Sequence, residues 1–383
     1  MNTIPAILSG LAVLALLAWA SLKSGFARWL FFRLYAWVKG DEMVGPSVLH
    51  NAPVNSPYQR WLDRARDEMP VYEGGPLQDI EHMDLPPWPQ MGIGVRGIYL
   101  HLADYQMLDS HIIELPPGGE TQRQAHLYEK GVYYLSGSGH TILQPHGGQS
   151  QEVSWSAGDL FSIPLNVPHQ HRNDGDQPAR LLVVTCFPLM LNLLDNEAFL
   201  KSNPGVFAER YDADPGYIEQ TRELARLELA KNLVKDIRTT PPRENDFRGK
   251  GNRSIRWQMA GNRVLDMHIS ELPPGLVKKA HRISSNAIVL VLSGTGFTVL
   301  WREGAYRQRQ RIDWKPGTLF SPPVFWYQQH LNSGSTPARY LAINVPGFVR
   351  NIGLHFEDQL EVDIDEVRDE WHREMKGRSG ARG

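Results

Sequence analysis

The spacing of hydrophobic and polar positions changes along the chain and divides it into segments. Residues 4–22 form one uncharged run that is rich in Leu and Ala. At about 1.5 Å per residue, a helix of this length spans about 28 Å, close to the thickness of the hydrocarbon core of a bilayer. The run is therefore predicted to be a single transmembrane anchor.

The charges around this run predict its orientation. Only the α-amino group precedes it, whereas Lys23, Arg28, Arg33 and Lys39 follow it. The positive-inside rule then places the rest of the chain on the cytoplasmic side. The alternative is a cleaved signal peptide, because residues 18–20 (Ala-Trp-Ala) resemble a cleavage site. The basic region that should open such a peptide is missing, which favours a retained anchor.

The next segment, residues 23–94, is predicted to be an interfacial helix followed by a linker. Its first part is aromatic and basic, which is typical of a helix lying in the plane of the membrane surface. Trp29, Tyr35 and Trp37 would lie at the level of the lipid headgroups.

Beyond residue 94 the chain repeats itself. Residues 111–118 recur as 268–275, and residues 135–139 recur as 292–296, both at an offset of 157. Two later blocks recur at an offset of 159, residues 155–162 as 314–321 and residues 178–180 as 337–339. The two-residue drift falls between blocks, where a loop tolerates insertion. Two copies of one domain are therefore expected, over residues 95–195 and 255–350.

Each copy has the composition of a β domain. Short runs rich in Val, Ile, Leu and Tyr alternate with clusters of Pro and Gly, which indicates a sandwich or a closed barrel. Between the copies, residues 196–254 are predicted to be a helical linker. Asp214 and Pro215 would begin the helix, and Leu227, Val234 and Ile237 would line its apolar face. Residues 351–383 are predicted to be a polar tail that is helical at first.

Composition excludes several classes of function. The formal net charge is −2 and the pI about 6.7, so bulk charge gives no reason to expect a nucleic-acid partner. The single cysteine, Cys186, excludes an intrachain disulfide and a thiolate zinc site. Cys186 lies in a continuous apolar run, which favours a buried structural role.

The repeated blocks resemble the two sequence motifs of the cupin superfamily. The glycine, proline and asparagine positions of those motifs are present in both copies: Gly118, Gly137, Gly158, Pro164 and Asn173, then Gly275, Gly294, Gly317, Pro323 and Asn332. The resemblance covers roughly residues 95–350. It implies an all-β fold class, with two cupin (double-stranded β-helix, jelly-roll) barrels joined to the N-terminal transmembrane helix and short accessory helices.

The resemblance also implies where a metal would bind. Cupin barrels usually hold a metal with three histidines and one glutamate. At these four positions copy one has Gln124, His126, Lys130 and His169, and copy two has His281, Ile283, Ala287 and Gln328. Copy two is therefore expected to bind no metal, because Ile and Ala cannot act as ligands.

In copy one, the predicted metal ligands are His126 and His169, with a third drawn from Gln124, Glu129 or His171. Glu129 is one residue from the usual glutamate position, and strand alternation places His171 on the same face as His169. Non-haem iron prefers two histidines and one carboxylate, so the expected metal is Fe(II) or another divalent ion. The alternative is that the two histidines are remnants in a barrel without metal. No catalytic residue can be assigned.

One subfamily resembles the chain more than the others. Gentisate-type ring-cleaving dioxygenases are bicupins whose second motif has the form H-x-H-x-N, as at residues 169–173. Those enzymes hold Fe(II) on three histidines and use an arginine for the substrate carboxylate, but Val132 stands at the expected arginine position.

Three hypotheses follow for the function. The first is a membrane-anchored, metal-dependent oxygenase that acts on a small aromatic or apolar organic molecule. The second is a non-catalytic bicupin that binds a small ligand or scaffolds a membrane partner. The third is an isomerase, decarboxylase or lyase on the same barrel, since one fold hosts many chemistries. Whether the chain is an enzyme, and whether it forms a homo-oligomer, stay open at this level.

Overall fold

The computed structural model describes residues 55–103, 107–145, 148–361 and 365–380. Within these ranges no helix has both the length and the hydropathy needed to cross a bilayer. The predicted anchor at residues 4–22 and the aromatic part of the interfacial helix lie outside the described residues, so both stay predictions.

The described chain is all-β with short helices, as predicted. The helices are α1 Pro57–Glu68, α2 Phe187–Leu194, α3 Glu197–Lys201, α4 Pro346–Asn351 and α5 Asp365–Gly380. The strands of the first half are β1 Val71–Gly74, β2 Arg96–Leu102, β3 Asp109–Leu115, β4 Lys130–Ser136, β5 Ser138–Leu143, β6 Gln151–Ser156, β7 Leu160–Ile163, β8 His169–Asn173 and β9 Ala179–Thr185. The strands that follow are β10 Thr221–Ala225, β11 Glu228–Lys231, β12 Leu233–Val234, β13 Arg243–Glu244, β14 Arg253–Gln258, β15 Asp266–Leu272, β16 His281–Ile283, β17 Ala287–Ser293, β18 Gly296–Trp301, β19 Gln310–Trp314, β20 Leu319–Phe320, β21 Tyr327–Leu331, β22 Ala338–Asn344 and β23 Glu357–Gln359.

Each copy folds as a large sheet packed on a smaller one. The first barrel has a seven-stranded sheet, in the order β1-β2-β3-β9-β4-β7-β12, and a three-stranded sheet, β6-β5-β8. The second has a sheet in the order β10-β11-β14-β15-β22-β17-β20, with β13 beside β14, and a five-stranded sheet, β19-β18-β21-β16-β23. Equivalent strands pair in the same register: Leu115 lies opposite Ala179, and Leu272 lies opposite Ala338.

The strands of the large sheets are buried on both faces because each sheet separates two cores. In β4, Val132 and Tyr134 pack inside the first barrel, while Tyr133 and Leu135 pack in a core shared with the second barrel. The shared core contains Trp257 and apolar side chains from both halves. Burial on both faces explains the nearly continuous hydrophobic runs in the sequence.

Two motif glycines are required by the same close approach in both barrels. Gly137 has φ +81° and Gly294 has φ +79°, in the left-handed region. A Cβ on Gly137 would lie 2.5 Å from the Cβ of Ala179, and one on Gly294 would lie 2.5 Å from the Cα of Ala338. The repeated glycines therefore fix the same turn in each copy.

The prediction of a helix between the two copies is wrong. The segment that carries its apolar positions forms β10, β11 and β12 instead, of which β11 pairs with β14 and β12 pairs with β7. Leu233 lies opposite Phe161 and is buried, so the apolar residues serve the sheets. The edge strands of two sheets offer unpaired backbone N–H and C=O groups, and hydrogen bonding to them outweighs the local helix propensity of this segment.

The described part of the predicted linker packs on the first barrel at its start and then reaches the second barrel, where the N–H of Leu77 donates to the carbonyl of Leu319 at 2.9 Å. Ser56 caps α1 by accepting a hydrogen bond from the N–H of Gln59, and α1 buries Tyr58, Trp61, Leu62 and Ala65. The strand that follows, β1, pairs in parallel with β2. Through α1, aromatic side chains reach the mouth of the barrel.

Candidate ligand site in the first barrel

The candidate site is built from the start of β4, from β8, and from the loop that leads into β4. β8 carries His169 and His171, which are both buried on one face, as strand alternation predicts. The loop passes beside β8, where the N–H of Gln124 donates to the carbonyl of His169 at 2.9 Å and the N–H of His169 donates back at 2.8 Å. This pairing brings Gln124, His126 and His169 together.

Lys130 is the residue around which the site is organised. Its Nζ lies 3.1 Å from Oε1 of Gln124 and 3.1 Å from Nε2 of His169. Gln124 and His169 stand at two of the four metal-ligand positions of the cupin motifs, and Lys130 itself stands at a third. The lysine amine therefore lies where the ligand positions converge.

The hydrogen bonds of His169 indicate which tautomer is present. Its Nδ1 lies 2.9 Å from the carbonyl oxygen of Val167, so Nδ1 carries the proton and donates. In the neutral ring Nε2 is then an acceptor, and it faces the donor Nζ of Lys130. An imidazole with its outer nitrogen tied to a carbonyl is also the form that binds a metal through Nε2. In this protein the lone pair of Nε2 instead accepts a hydrogen bond from the amine of Lys130.

The other two histidines leave one ring nitrogen each without a partner. His126 stacks on Tyr128 with ring centroids 4.1 Å apart, and its ring lies 5.1 Å from that of His169. Nδ1 of His171 lies 2.8 Å from Oγ1 of Thr141. The Nε2 atoms of His126 and His171 are buried without a hydrogen-bond partner among the described residues.

Glu129 does not reach the interior of the barrel. Its carboxylate accepts hydrogen bonds from the backbone N–H groups of Arg263, Val264 and Leu265 at 2.6–2.8 Å, and from Arg210 at 3.0 Å. The side chains of neighbouring strand residues point to opposite faces, so Glu129 points away where Lys130 points inward. Glu129 therefore attaches the first barrel to the chain that enters β15, and it is not available as a ligand.

Burial shapes the charge of the site. It lowers the pKa of Lys130 to about 7, although Asp109 acts in the opposite direction. Burial, followed by the proximity of Lys130, keeps the pKa of His126, His169 and His171 well below 6.5. The three rings are therefore neutral at neutral pH, and the amine is the group whose charge can change there.

Sequence reasoning missed a second polar cluster in the same cavity, centred on Asp109. Its carboxylate accepts hydrogen bonds from Oγ1 of Thr185, at 2.5 Å, and from the hydroxyl of Tyr99. The hydroxyl oxygen of Tyr99 also lies 3.0 Å from the hydroxyl oxygen of Tyr58. Burial raises the pKa of Asp109 to about 6. His111 also lines the cavity, and its recurrence as His268 was the one sequence signal for this region.

The site opens into a cavity of about 450 Å³. Gln124, His126 and Lys130 form its polar end. Aromatic side chains from α1, β2, α2 and the loops before β2 and β4 contribute to its walls: Trp61, Trp88, Tyr99, Tyr128 and Phe187. Charged side chains also line it: Glu68, Asp109, Arg123, Glu197 and Lys201. A pocket of this size that combines aromatic surface with convergent polar groups is typical of a small-molecule site.

The donor set does not fit the metal that the family resemblance implies. No group of three His, Cys, Asp or Glu side chains that could hold a metal occurs within the part of the chain that the structure describes. Lys130 replaces the carboxylate, and its amine binds the donor atoms of two ligand positions. A cation here would meet a competing ammonium in place of a compensating negative charge.

In the second barrel the equivalent positions are also depleted. Gln328 lies opposite His281 in the pairing of β16 with β21. Ile283 and Ala287 line the cavity as apolar side chains. That copy two binds no metal stays a prediction.

Comparison with known proteins finds a cupin domain within the first barrel. Residues 111–185 match the family model of the cupin domain. A 78-residue stretch is 36% identical to 5-aminosalicylate 1,2-dioxygenase from Comamonas sp, a match that spans 20% of this chain and 19% of that protein.

Solved structures extend the likeness to most of the chain. Salicylate 1,2-dioxygenase from Pseudaminobacter salicylatoxidans superposes with a TM-score of 0.51 at 17% identity, covering 70% of this chain and 81% of that one. A weaker likeness is to a variant of oxalate decarboxylase from Bacillus subtilis, with a TM-score of 0.49 at 14% identity, covering 78% and 84%. At these identities the likeness to the salicylate enzyme shows a shared fold.

Proposed function

We propose that this chain, a two-barrel member of the cupin superfamily, binds a small aromatic or otherwise apolar organic anion in its first barrel, and that the Lys130 amine holds the anion in place of a metal ion. One observation carries the proposal. The Nζ of Lys130 lies 3.1 Å from both Gln124 and His169, at the polar end of an aromatic cavity.

The charge of the ligand follows from the partners of Lys130. Both are neutral acceptors, and an ammonium has three donors, so one N–H remains for a ligand. The nearby carboxylate of Asp109 is engaged by Thr185 and Tyr99. Burial without a bound counter-ion lowers the pKa of Lys130 to about 7. A carboxylate or phenolate would restore the charged form and gain a strong hydrogen bond.

The size and polarity of the ligand follow from the walls. A cavity of about 450 Å³ has room for a molecule of one or two rings. Trp88 and Phe187 offer faces and edges for aromatic contact, which is worth about 0.5–1.5 kcal/mol per pair beyond burial. The two dioxygenases compared above are named for salicylate and 5-aminosalicylate, which are aromatic carboxylates, and this is consistent with the proposed class of ligand.

A second candidate is the metal-dependent oxygenase expected from the sequence. The buried Nε2 atoms of His126 and His171, which have no partner among the described residues, favour it, as does the curated relative. It requires the amine of Lys130 to leave the centre of the site. The two candidates therefore make opposite predictions for Lys130.

The test uses the full-length chain purified in detergent, with benzoate as probe and benzyl alcohol as its uncharged match. Calorimetry should show benzoate binding at least tenfold tighter than benzyl alcohol, and Lys130→Met should remove this preference. Lys130→Arg should keep part of it. Lys278→Met, which removes the buried lysine of the other barrel, is the control and should bind benzoate like the wild type.

Metal analysis of the same samples separates the candidates. The proposal predicts far less than one metal ion per chain, even after anaerobic incubation with Fe(II). Stoichiometric iron that is lost in both His126→Ala and His169→Ala, together with equal binding of benzoate and benzyl alcohol, would overturn the proposal in favour of the oxygenase.

We also propose that residues 4–22 anchor the chain in the membrane, with the barrels on the cytoplasmic side. The uncharged run and the basic residues after it support this. An apolar ligand that partitions into lipid would then be close to the binding site. Sequencing of the mature N-terminus tests the anchor, because a chain that begins at Ser21 would be a cleaved product.

A further inference from the structure

The second barrel contains a cavity of its own, of about 400 Å³. Its character differs from that of the first, because basic and imidazole groups predominate. Among its lining residues, four basic side chains face two carboxylates. The groups used below are Arg248, His268, Lys278, His281, His330 and Glu357.

Lys278 is a buried lysine whose amine has only neutral hydrogen-bond partners among the described residues. It is 5% exposed, and its Nζ donates to Oγ of Ser270 at 2.9 Å and to the hydroxyl of Tyr340 at 2.6 Å. An ammonium has three donors, so one remains for the cavity. Burial and the neighbouring Arg248 keep the pKa of Lys278 well below 10.5, because no negative charge compensates.

Two carboxylates, Glu228 and Glu357, line the cavity, and among the described residues neither makes an ion pair with Lys278. Glu357 pairs with Arg248, which also donates to Gln359 at 3.0 Å. The amine of Lys278 therefore has no counter-ion in the described part of the barrel.

The imidazoles add polar atoms that a ligand could use. Nδ1 of His268 is buried and has no hydrogen-bond partner among the described residues. Nδ1 of His281 is held by the carbonyl of Lys279 at 3.1 Å, and Nδ1 of His330 by Oγ1 of Thr298 at 2.9 Å. A buried polar group without a partner is destabilising, so a ligand that bonds His268 would recover part of that loss.

We infer that the second barrel is a separate binding site for a small oxyanion, a carboxylate or a phosphate, with Lys278 as the central cation and Arg248 and His268 beside it. The site does not depend on the first barrel or on the proposed function there. It has no aromatic wall like that of the first cavity, so a compact anion suits it better than an aromatic one. Sequence motifs could not reveal it, because Lys278 occupies none of the four metal-ligand positions.

The experiment titrates the full-length chain in detergent with inorganic phosphate and, separately, with malonate, at constant ionic strength set by sodium chloride. Saturable binding of at least one probe is expected, and the probe that binds identifies the source of the oxyanion. Lys278→Met should weaken that binding at least tenfold. Lys130→Met should leave it within threefold of the wild type, which separates this site from the benzoate site.

Lys278→Arg guards against a trivial loss through unfolding, because it keeps the charge and should keep measurable binding. His268→Ala removes the unpartnered ring and should weaken binding several-fold while the circular dichroism spectrum is unchanged. The inference is overturned if the wild type binds neither probe, or if folded Lys278→Met binds as tightly as the wild type. Should Lys278→Met not fold, wild-type affinity in folded His268→Ala would overturn the inference equally.

Discussion

The two barrels share their strand order and turns, which form a common frame, but the side chains in their interiors differ. In the first, a buried lysine enters from the start of β4, binds Gln124 and His169, and faces aromatic walls. In the second, a buried lysine precedes β16, binds Ser270 and Tyr340, and faces histidines and arginines. Each barrel therefore contains one buried lysine amine, and the two lysines stand at non-equivalent positions of the repeat. The same arrangement of strands can thus hold different sets of interior side chains.

The most strictly repeated features belong to the frame. Arg180 pairs with Glu114 and donates to the carbonyls of Ile80 and Met83. Its repeat, Arg339, pairs with Glu271 and donates to the carbonyls of Ile237, Arg238 and Thr240. Each arginine thereby fixes a chain segment from outside its own barrel against the large sheet. The ion pair between the arginine of each Pro-Ala-Arg block and the glutamate of each Glu-Leu-Pro-Pro block explains why these two residues recur together.

The largest predicted effect comes from breaking the frame. Arg339→Ala should lower the free energy of unfolding by about 3–5 kcal/mol, since it leaves three carbonyls without their donor and leaves Glu271 only the longer ion pair with Arg253, at 3.7 Å. Denaturant unfolding measures the loss. Arg243→Ala is the matched control, because its ion pair with Glu223 is exposed and should be worth less than about 1 kcal/mol. Similar losses in both variants would contradict the assigned role of Arg339.

The next effect distinguishes a structural Glu129 from a metal ligand. Glu129→Gln should lower the free energy of unfolding by about 2–3 kcal/mol, because three backbone N–H groups and Arg210 lose a charged acceptor. Benzoate affinity, measured by calorimetry, should stay within threefold of the wild type. A large loss of benzoate binding in a chain of unchanged stability would reverse the assignment.

The interior of the first barrel should behave in the opposite way. Replacing a buried ionic group by a hydrophobic one of similar volume is often stabilising, so Lys130→Met should raise the free energy of unfolding at pH 7, by about 1–4 kcal/mol. Thermal and denaturant unfolding without ligand measure this change. A decrease would show that the amine stabilises the empty barrel and is not held there for a ligand.

The last predicted effect is a dependence of stability on pH. The pKa of Lys130 is about 7 in the folded chain and near 10.5 when unfolded, so the unfolded state binds more protons between these values. The free energy of unfolding contributed by this group therefore rises with pH from about 7 to 10.5 and is constant below 7. The difference between wild type and Lys130→Met should shrink across that window. A difference independent of pH would exclude a depressed lysine pKa.

The sequence predicted the frame well, because its signals are local. Gly137, Gly294, Asn173 and Asn332 build turns whose geometry depends on nearby backbone, and both barrels follow from them. The helix predicted between the barrels failed because β12 pairs with β7, a partner far away in the chain. Helical spacing within one segment could not show that contact.

The site was predicted only in part. Gln124, His126, His169 and His171 lie in the first barrel as expected, since the motif and strand alternation determine their direction. In the sequence, Lys130 only replaces the glutamate ligand of the motif. Its hydrogen bonds to Gln124 and His169 depend on the folded structure and could not be predicted. Asp109 gave no motif signal, because its partners Tyr99 and Thr185 come from separate strands.

The central claim is that the Lys130 amine takes the place of a metal in the first barrel. Crystals of the chain soaked with 4-bromobenzoate test it most directly, with anomalous data collected at the bromine and iron edges. The account predicts a bromine peak in the aromatic cavity, a carboxylate oxygen about 2.7–2.9 Å from Nζ of Lys130, and no metal peak beside it. A metal peak about 2.0–2.2 Å from His126 and His169, with Lys130 turned away, would contradict it.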